Sequence, residues 1–147
     1  MNQARQQNHQ RAIRVFIIHS GSDAVFTRKL RNLLVQRSNA QVFTADDLSA
    51  GEKYMPKLRR ELEGADVVVA VLTPASIDSG WVMHEIGAAW ALEKLIVPVV
   101  TRRDVLSGIP LALEGTHFIE LTDVDSSENA DKFMEAFEES IAATPAR

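Results

Sequence analysis

The chain has 147 residues, 46% hydrophobic and 24% charged, with a formal net charge of −4. That length points to one domain able to bury its own core, and the lack of cysteine excludes disulfides, thiolate metal sites and a cysteine nucleophile. The negative balance disfavours a nucleic-acid partner, and no apolar run approaches the ~20 residues that cross a bilayer.

Residues 1–12, MNQARQQNHQRA, are polar and glutamine-rich and lack the apolar core of a secretory leader. A flexible arm is expected there, followed by a folded domain over 13–143 and a short tail over 144–147. Together with the missing cysteines, this fits a cytoplasmic protein. RVFIIHS (14–20) is a continuous apolar run ending in small polar residues, as suits a strand buried on both faces. A helix follows, with Val25, Phe26, Leu30, Leu33 and Leu34 at helical spacing and Ser20 or Ser22 as its cap. AQVF (40–43) reads as a second strand and TADDLSAGEK (44–53) as an acidic loop. Met55, Leu58 and Leu62 then mark a helix with Pro56 in its first turn and Gly64 at its end.

ADVVVAVL (65–72) is the clearest strand, apolar without alternation. TPASIDSG reads as a loop, with Asp78 or Ser79 capping a helix from about Trp81 to Glu93. On that helix Trp81 and Glu85 share a face, and Ile86 and Trp90 form a stripe able to face the sheet. LIVPVV (95–100) is a fourth strand, 101–115 is irregular, and THFIEL (116–121) is a fifth. Ala130, Phe133, Met134, Phe137 and Ile141 line a final amphipathic helix.

Alternation of this kind predicts an α/β fold, a flavodoxin-like five-stranded parallel sheet of order 2-1-3-4-5 with helices on both faces. In such sheets ligands bind beyond the strand ends at the switch in strand order, here between strands one and three. His19, Ser20, Gly21, Ser22 and Asp23 follow the first strand, and Thr73 follows the third, leading to Trp81 and Glu85. Glu85 is therefore either a poorly solvated carboxylate held at the crevice by an indole, or an ordinary solvated helix glutamate. The serines can bind a pyrophosphate through their backbone N–H groups or simply cap a helix.

No phosphate-binding G-x-x-x-x-G-K-[ST] loop and no G-x-G-x-x-G fingerprint is present. Leu72-Thr73-Pro74 stands where a phospho-receiver needs aspartate, and nothing like a nucleophile elbow surrounds Ser20. His9, His19, His84 and His117 have no zinc-ligand spacing.

VFIIHSGSD, VFTADDLSAGEKY and above all SGWVMHEIGAAW, with its W-x-x-x-E, together resemble a TIR domain (Toll/interleukin receptor-type), most of all the standalone bacterial, NAD-cleaving members. The resemblance covers nearly all of 13–143. It implies that Glu85 is catalytic, and that the turn from Ser20 to Asp23 and the loop from Asp46 to Tyr54 line a nucleotide pocket. His19, Ser20, Gly21, Ser22, Asp46, Asp47, Lys53, Tyr54 and Trp81 are then the substrate-binding candidates, with NAD as substrate and no cofactor or metal. Phe43 and Tyr54 flank the loop, and no residue within it is an evident partner for nicotinamide. The products implied are nicotinamide and ADP-ribose or a cyclic ADP-ribose isomer, in antiphage defence signalling, with self-association and an effector or sensor protein as partner. The family also holds non-catalytic TIR–TIR interaction modules, including proteins that interfere with host signalling, many without the glutamate. A nucleoside deoxyribosyltransferase-like enzyme, which uses a glutamate nucleophile, is a third reading that the W-x-x-x-E spacing disfavours.

Overall fold

A computed structural model of the chain describes residues 11–47 and 53–144. The expected arm and tail lie outside the described residues apart from Arg11, Ala12 and Thr144, as do residues 48–52 of the acidic loop. Five parallel strands form one sheet of order β2-β1-β3-β4-β5. They are β1 (Arg14–Ile18), β2 (Gln41–Thr44), β3 (Val67–Leu72), β4 (Ile96–Val100) and β5 (Ile119–Glu120). The helices are α1 (Ala24–Ser38), α2 (Tyr54–Gly64), α3 (Pro74–Ile77), α4 (Gly80–Ala91) and α5 (Ser127–Ala142).

The runs without alternation have the physical cause anticipated for them: both faces of the sheet are covered. Val67, Val69 and Val71 of β3 pack with Leu30 and Leu34 of α1 and Phe133 and Phe137 of α5. Val68, Ala70 and Leu72 face the other way, onto Leu58 and Leu62 of α2 and Val82, Ile86 and Ala89 of α4. Successive side chains of one strand thus feed two separate cores.

The structure departs from the sequence reading at several points. TPASIDSG is not all loop, because Thr73 and Ser76 cap each other reciprocally and wind Pro74–Ile77 into one helical turn. Of the two candidate caps for α4, Ser79 acts, its Oγ accepting from the Val82 N–H at 3.2 Å. Neither Ser20 nor Ser22 caps α1; Asp23 occupies the N-cap position, without a side-chain cap bond. The irregular 101–115 segment contains two stretches of 3-10 helix, Arg103–Gly108 and Leu111–Leu113. THFIEL shrinks to the two residues of β5, with Thr116 and His117 exposed ahead of it.

Trp90 is the clearest correction. Ile86 faces the sheet and is 1% exposed, but Trp90, one turn later, is 63% exposed. Val25, read as part of the apolar stripe of α1, is also exposed. Ile86→Ala is therefore expected to cost about 2–5 kcal/mol, and Trp90→Ala less than about 1 kcal/mol, in urea unfolding. Equal costs would mean that α4 is rotated from the orientation described.

Candidate active site

The switch in strand order lies between β1 and β3, and the residues following both strands are polar yet buried. His19 and Ser20 follow β1, Thr73 follows β3, and all three are buried. Burial of a polar side chain demands partners, and these have them. His19 Nδ1 lies 2.7 Å from the Ser20 carbonyl oxygen, and Nε2 lies 3.2 Å from Asp46 Oδ2. Both ring nitrogens face oxygen atoms, one of the backbone and one of a carboxylate. The ring thereby ties the tip of β1 to the turn after β2.

Glu85 projects from α4 and is 1% exposed, which overturns the solvated-glutamate reading. Burial is the main force on its carboxyl, pushing the pKa from 4.5 to about 8. The Trp81 indole opposes that shift by hydrogen bonding, and the Asp46 carboxylate adds to it by repulsion. Glu85 Oε2 and Tyr54 Oη are nevertheless both buried without a partner of full hydrogen-bond geometry. The indole N–H thus favours the anionic form of each neighbour without fully satisfying either oxygen. Such orphaned buried oxygens mark a place where a structure carries cost for another reason.

Two aromatic rings, Tyr54 and Trp81, stand against this acid, and a third, His84, packs on Trp81. Tyr54, the first residue of α2, meets Trp81 edge-on with ring centroids 4.6 Å apart, and Trp81 lies 5.5 Å from the His84 ring. Burial and then the Glu85 charge push the Tyr54 hydroxyl up to about 12, so it stays a protonated donor across the working pH range. Trp81 is 40% exposed, so the indole forms the wet side of the cluster and Glu85 the dry side. Trp81→Phe keeps the ring and removes the N–H, so the Glu85 titration midpoint is expected to rise above about 8. Infrared titration of the protonated carboxyl band reads this directly, and a midpoint that falls would refute the role given to the indole.

The structure brings Glu85, Trp81, Tyr54, Asp46 and His19 to one end of the sheet, between the tips of β2, β1 and β3. Ser20 lies beside them, its hydroxyl donating to Asp23 at 2.7 Å. Gly21 and Ser22 are exposed in a 3-10 turn, and a Cβ on Gly21 would meet nothing within 4 Å, so there is open space beside that turn. Asp47 turns away, accepting from Thr44 N at 2.7 Å and from Arg31 at 3.0 Å, which staples the turn after β2. Lys53 is exposed at the start of α2. Sequence reasoning missed the direct role of Thr73, whose hydroxyl donates to Asp23 at 2.6 Å. A threonine immediately after an apolar strand, three residues before a serine, is a capping signal that could have marked it.

Phe43 and Tyr54, which flank the acidic loop, line one cavity of about 270 Å³ with Phe16, Thr44 and Asp47. Tyr54 alone links this cavity to the Glu85 cluster, through its edge-on contact with Trp81; Glu85 itself does not line the cavity. A larger depression of about 710 Å³, lined by Trp90, Lys94 and Leu113 among others, lies by the amino ends of β3 and β4, at the opposite end of the sheet. Among the described residues no group of three or more histidine or carboxylate side chains could hold a metal, and no helix is long and apolar enough to cross a membrane.

The TIR domain family profile matches residues 15–137. No curated protein matches the sequence. Among solved structures, the TIR domain of the Toll-related receptor TRR-2 from Hydra magnipapillata superposes with a TM-score of 0.70 at 15% identity, covering 87% of this chain and 97% of that one. The TIR domains of the activated Roq1 resistosome, which directly recognizes the pathogen effector XopQ, match at a TM-score of 0.55 and 18% identity, over 90% and 86%. The CMP N-glycosidase BcmB of Clostridium botulinum matches at 0.56 and 14%, over 86% and 98%. At these identities the likenesses show a shared fold.

Proposed function

The chain belongs to the TIR domain family, and from that premise we propose that it cleaves the bond between nicotinamide and ribose in NAD, with Glu85 as the catalytic carboxylate. The observation that carries the reading is the burial of this one acid among Trp81, Tyr54 and Asp46 at the switch point of the sheet. A fold neighbour that is itself an N-glycosidase supports the same reaction class.

The chemistry asks little of the protein. The nicotinamide ring of NAD is cationic and leaves as a neutral molecule, taking the electron pair of the bond to ribose C1′. The charge left behind spreads over C1′ and the ring oxygen as an oxocarbenium-like centre. An ionised Glu85 in a dry site stabilises that charge far more than it would in water. Alone, the buried carboxyl holds its proton up to about pH 8. Arrival of the cationic ring favours the anion, so substrate binding draws out the form the reaction needs. Attack by water then gives ADP-ribose and one proton; attack by another group of the same molecule gives a cyclic isomer. Trp81 positions the carboxyl, His19 and Asp46 hold the β2 turn against β1, and the backbone at Ser20, Gly21 and Ser22 receives the pyrophosphate. Lys53 and Asp47 are assigned to the rim.

We place the activity in antiphage defence signalling, with self-association of TIR domains and an effector or sensor protein as partner. The alternative, a non-catalytic TIR–TIR module, is favoured by the large apolar side chains of Trp90 and Leu111, each exposed at the surface. Nicotinamide release from NAD by the pure protein, followed chromatographically at dilute and at very high protein concentration, separates the two. Release, in either regime, supports the enzyme. None even when crowded leaves the module.

A further inference from the structure

Asp23 holds the N-cap position of α1, where aspartate normally turns its side chain onto the helix and stabilises it. Here no such cap bond forms. The carboxylate is directed elsewhere: its Oδ2 accepts from Ser20 Oγ at 2.7 Å and from Thr73 Oγ1 at 2.6 Å. Ser20 follows β1 and Thr73 follows β3, so one oxygen joins the two strand tips that frame the crevice. A local stabilisation is given up for a tie between segments 50 residues apart. Hydrogen bonds to an ionised acceptor are roughly twice as strong as neutral ones, which favours a carboxylate at this point.

The tie does not end at Thr73. The same hydroxyl accepts from Ser76 N at 3.1 Å while Ser76 Oγ accepts from Thr73 N at 2.7 Å, and this reciprocal cap builds α3. Ser79 N then donates to the Ser76 carbonyl at 3.1 Å, and Ser79 Oγ caps α4 at Val82 N. A continuous run of hydrogen bonds leads from Asp23 to the first turn of α4, one turn before Glu85.

We infer that Asp23 is a positioning residue: it clasps the tips of β1 and β3 and, through Thr73, α3 and Ser79, sets where α4 begins and so keeps Glu85 on the dry side of the crevice. Only the catalytic consequence rests on the NAD-cleaving reading; the placement of Glu85 does not.

The test is a carbon-13 NMR titration of glutamate side-chain carboxyls, with Glu85 assigned by its disappearance in Glu85→Gln. Among the described residues, the other titratable groups facing Glu85 are Asp46 and Tyr54, and both are left intact. Asp23→Ala frees the start of α4, water reaches the carboxyl, and the Glu85 midpoint falls by about one pH unit or more. Asp23→Asn keeps an oxygen able to accept both hydroxyl protons, so its midpoint stays near that of the wild type. This rescue separates positioning from a generic loss of packing. Where turnover is present, kcat falls about tenfold in Asp23→Ala and recovers in Asp23→Asn. Ser20→Ala, which removes one donor and leaves Thr73 in place, keeps the test open should Asp23→Ala fail to fold, and it shifts the midpoint the same way by a smaller amount. A folded Asp23→Ala, or failing that a folded Ser20→Ala, with the wild-type Glu85 midpoint overturns the inference. If the midpoint moves as described but the wild type releases no nicotinamide, the clasp stands and the NAD-cleaving reading falls.

Discussion

Glu85→Gln is expected to lower nicotinamide release about a thousandfold in kcat, the scale on which losing one preorganised electrostatic group acts. The amide has nearly the shape of the acid but no charge to set against an oxocarbenium-like centre. Because the site is dry, no solvent ion takes its place: the side chain is 1% exposed, and its neighbours Tyr54 and Trp81 are bulky aromatics. Glu85→Asp keeps the charge and withdraws it by about 1 Å, a displacement worth roughly a hundredfold. Steady-state assays on folded protein check both. Turnover in Glu85→Gln within tenfold of wild type would remove Glu85 from the chemistry.

The same substitution is expected to stabilise the fold at alkaline pH. In the native protein the Glu85 carboxyl holds its proton up to about pH 8, against an ordinary value of 4.5. Between those limits the folded state binds more protons than the unfolded chain, so stability falls as pH rises, and the loss is complete above about pH 8. A displacement of that size corresponds to a ceiling on the order of 5 kcal/mol. Glutamine removes this cost but brings its own unpaired buried amide, which leaves a net gain of about 2 kcal/mol at pH 9. Below pH 4.5 the wild-type carboxyl is protonated in both states and the gain disappears. Urea unfolding of both proteins at pH 9 and pH 4.5 reads the difference. A gain at acid pH that vanished at alkaline pH would reverse the assignment. On the proposed reading, activity and stability oppose each other at this residue, because catalysis would use a carboxylate that the fold holds away from water.

The sheet was legible from residues such as Val67–Leu72 because an unbroken apolar run in a soluble α/β chain has one physical explanation, burial on both faces. The order 2-1-3-4-5 followed from five strands alternating with helices in a chain of this length, which match the flavodoxin-like arrangement. Trp90 was misread because spacing along a helix gives a face but not which large residue the neighbouring layer has room for. Ile86 fills that room, and Trp90 is left outside. The burial of Glu85 could not be read either, since i and i+4 spacing places Trp81 beside it whether the pair is wet or dry. That outcome depends on Tyr54, which approaches from α2 and is distant in sequence. Asp23 was visible as part of the turn after β1, but its turn toward Thr73 rather than the helix it precedes is a tertiary choice that local capping preference argues against.

The most direct measurement of the central claim is the pH dependence of kcat/KM for nicotinamide release between pH 5.5 and 9.5. This quantity reports the ionisation of the free protein's essential group. If the ionised, water-shielded Glu85 carboxylate breaks the nicotinamide bond, the profile climbs about tenfold per pH unit and bends near pH 8, where this carboxyl titrates. A flat profile over that range, or one that falls as pH rises, contradicts the account.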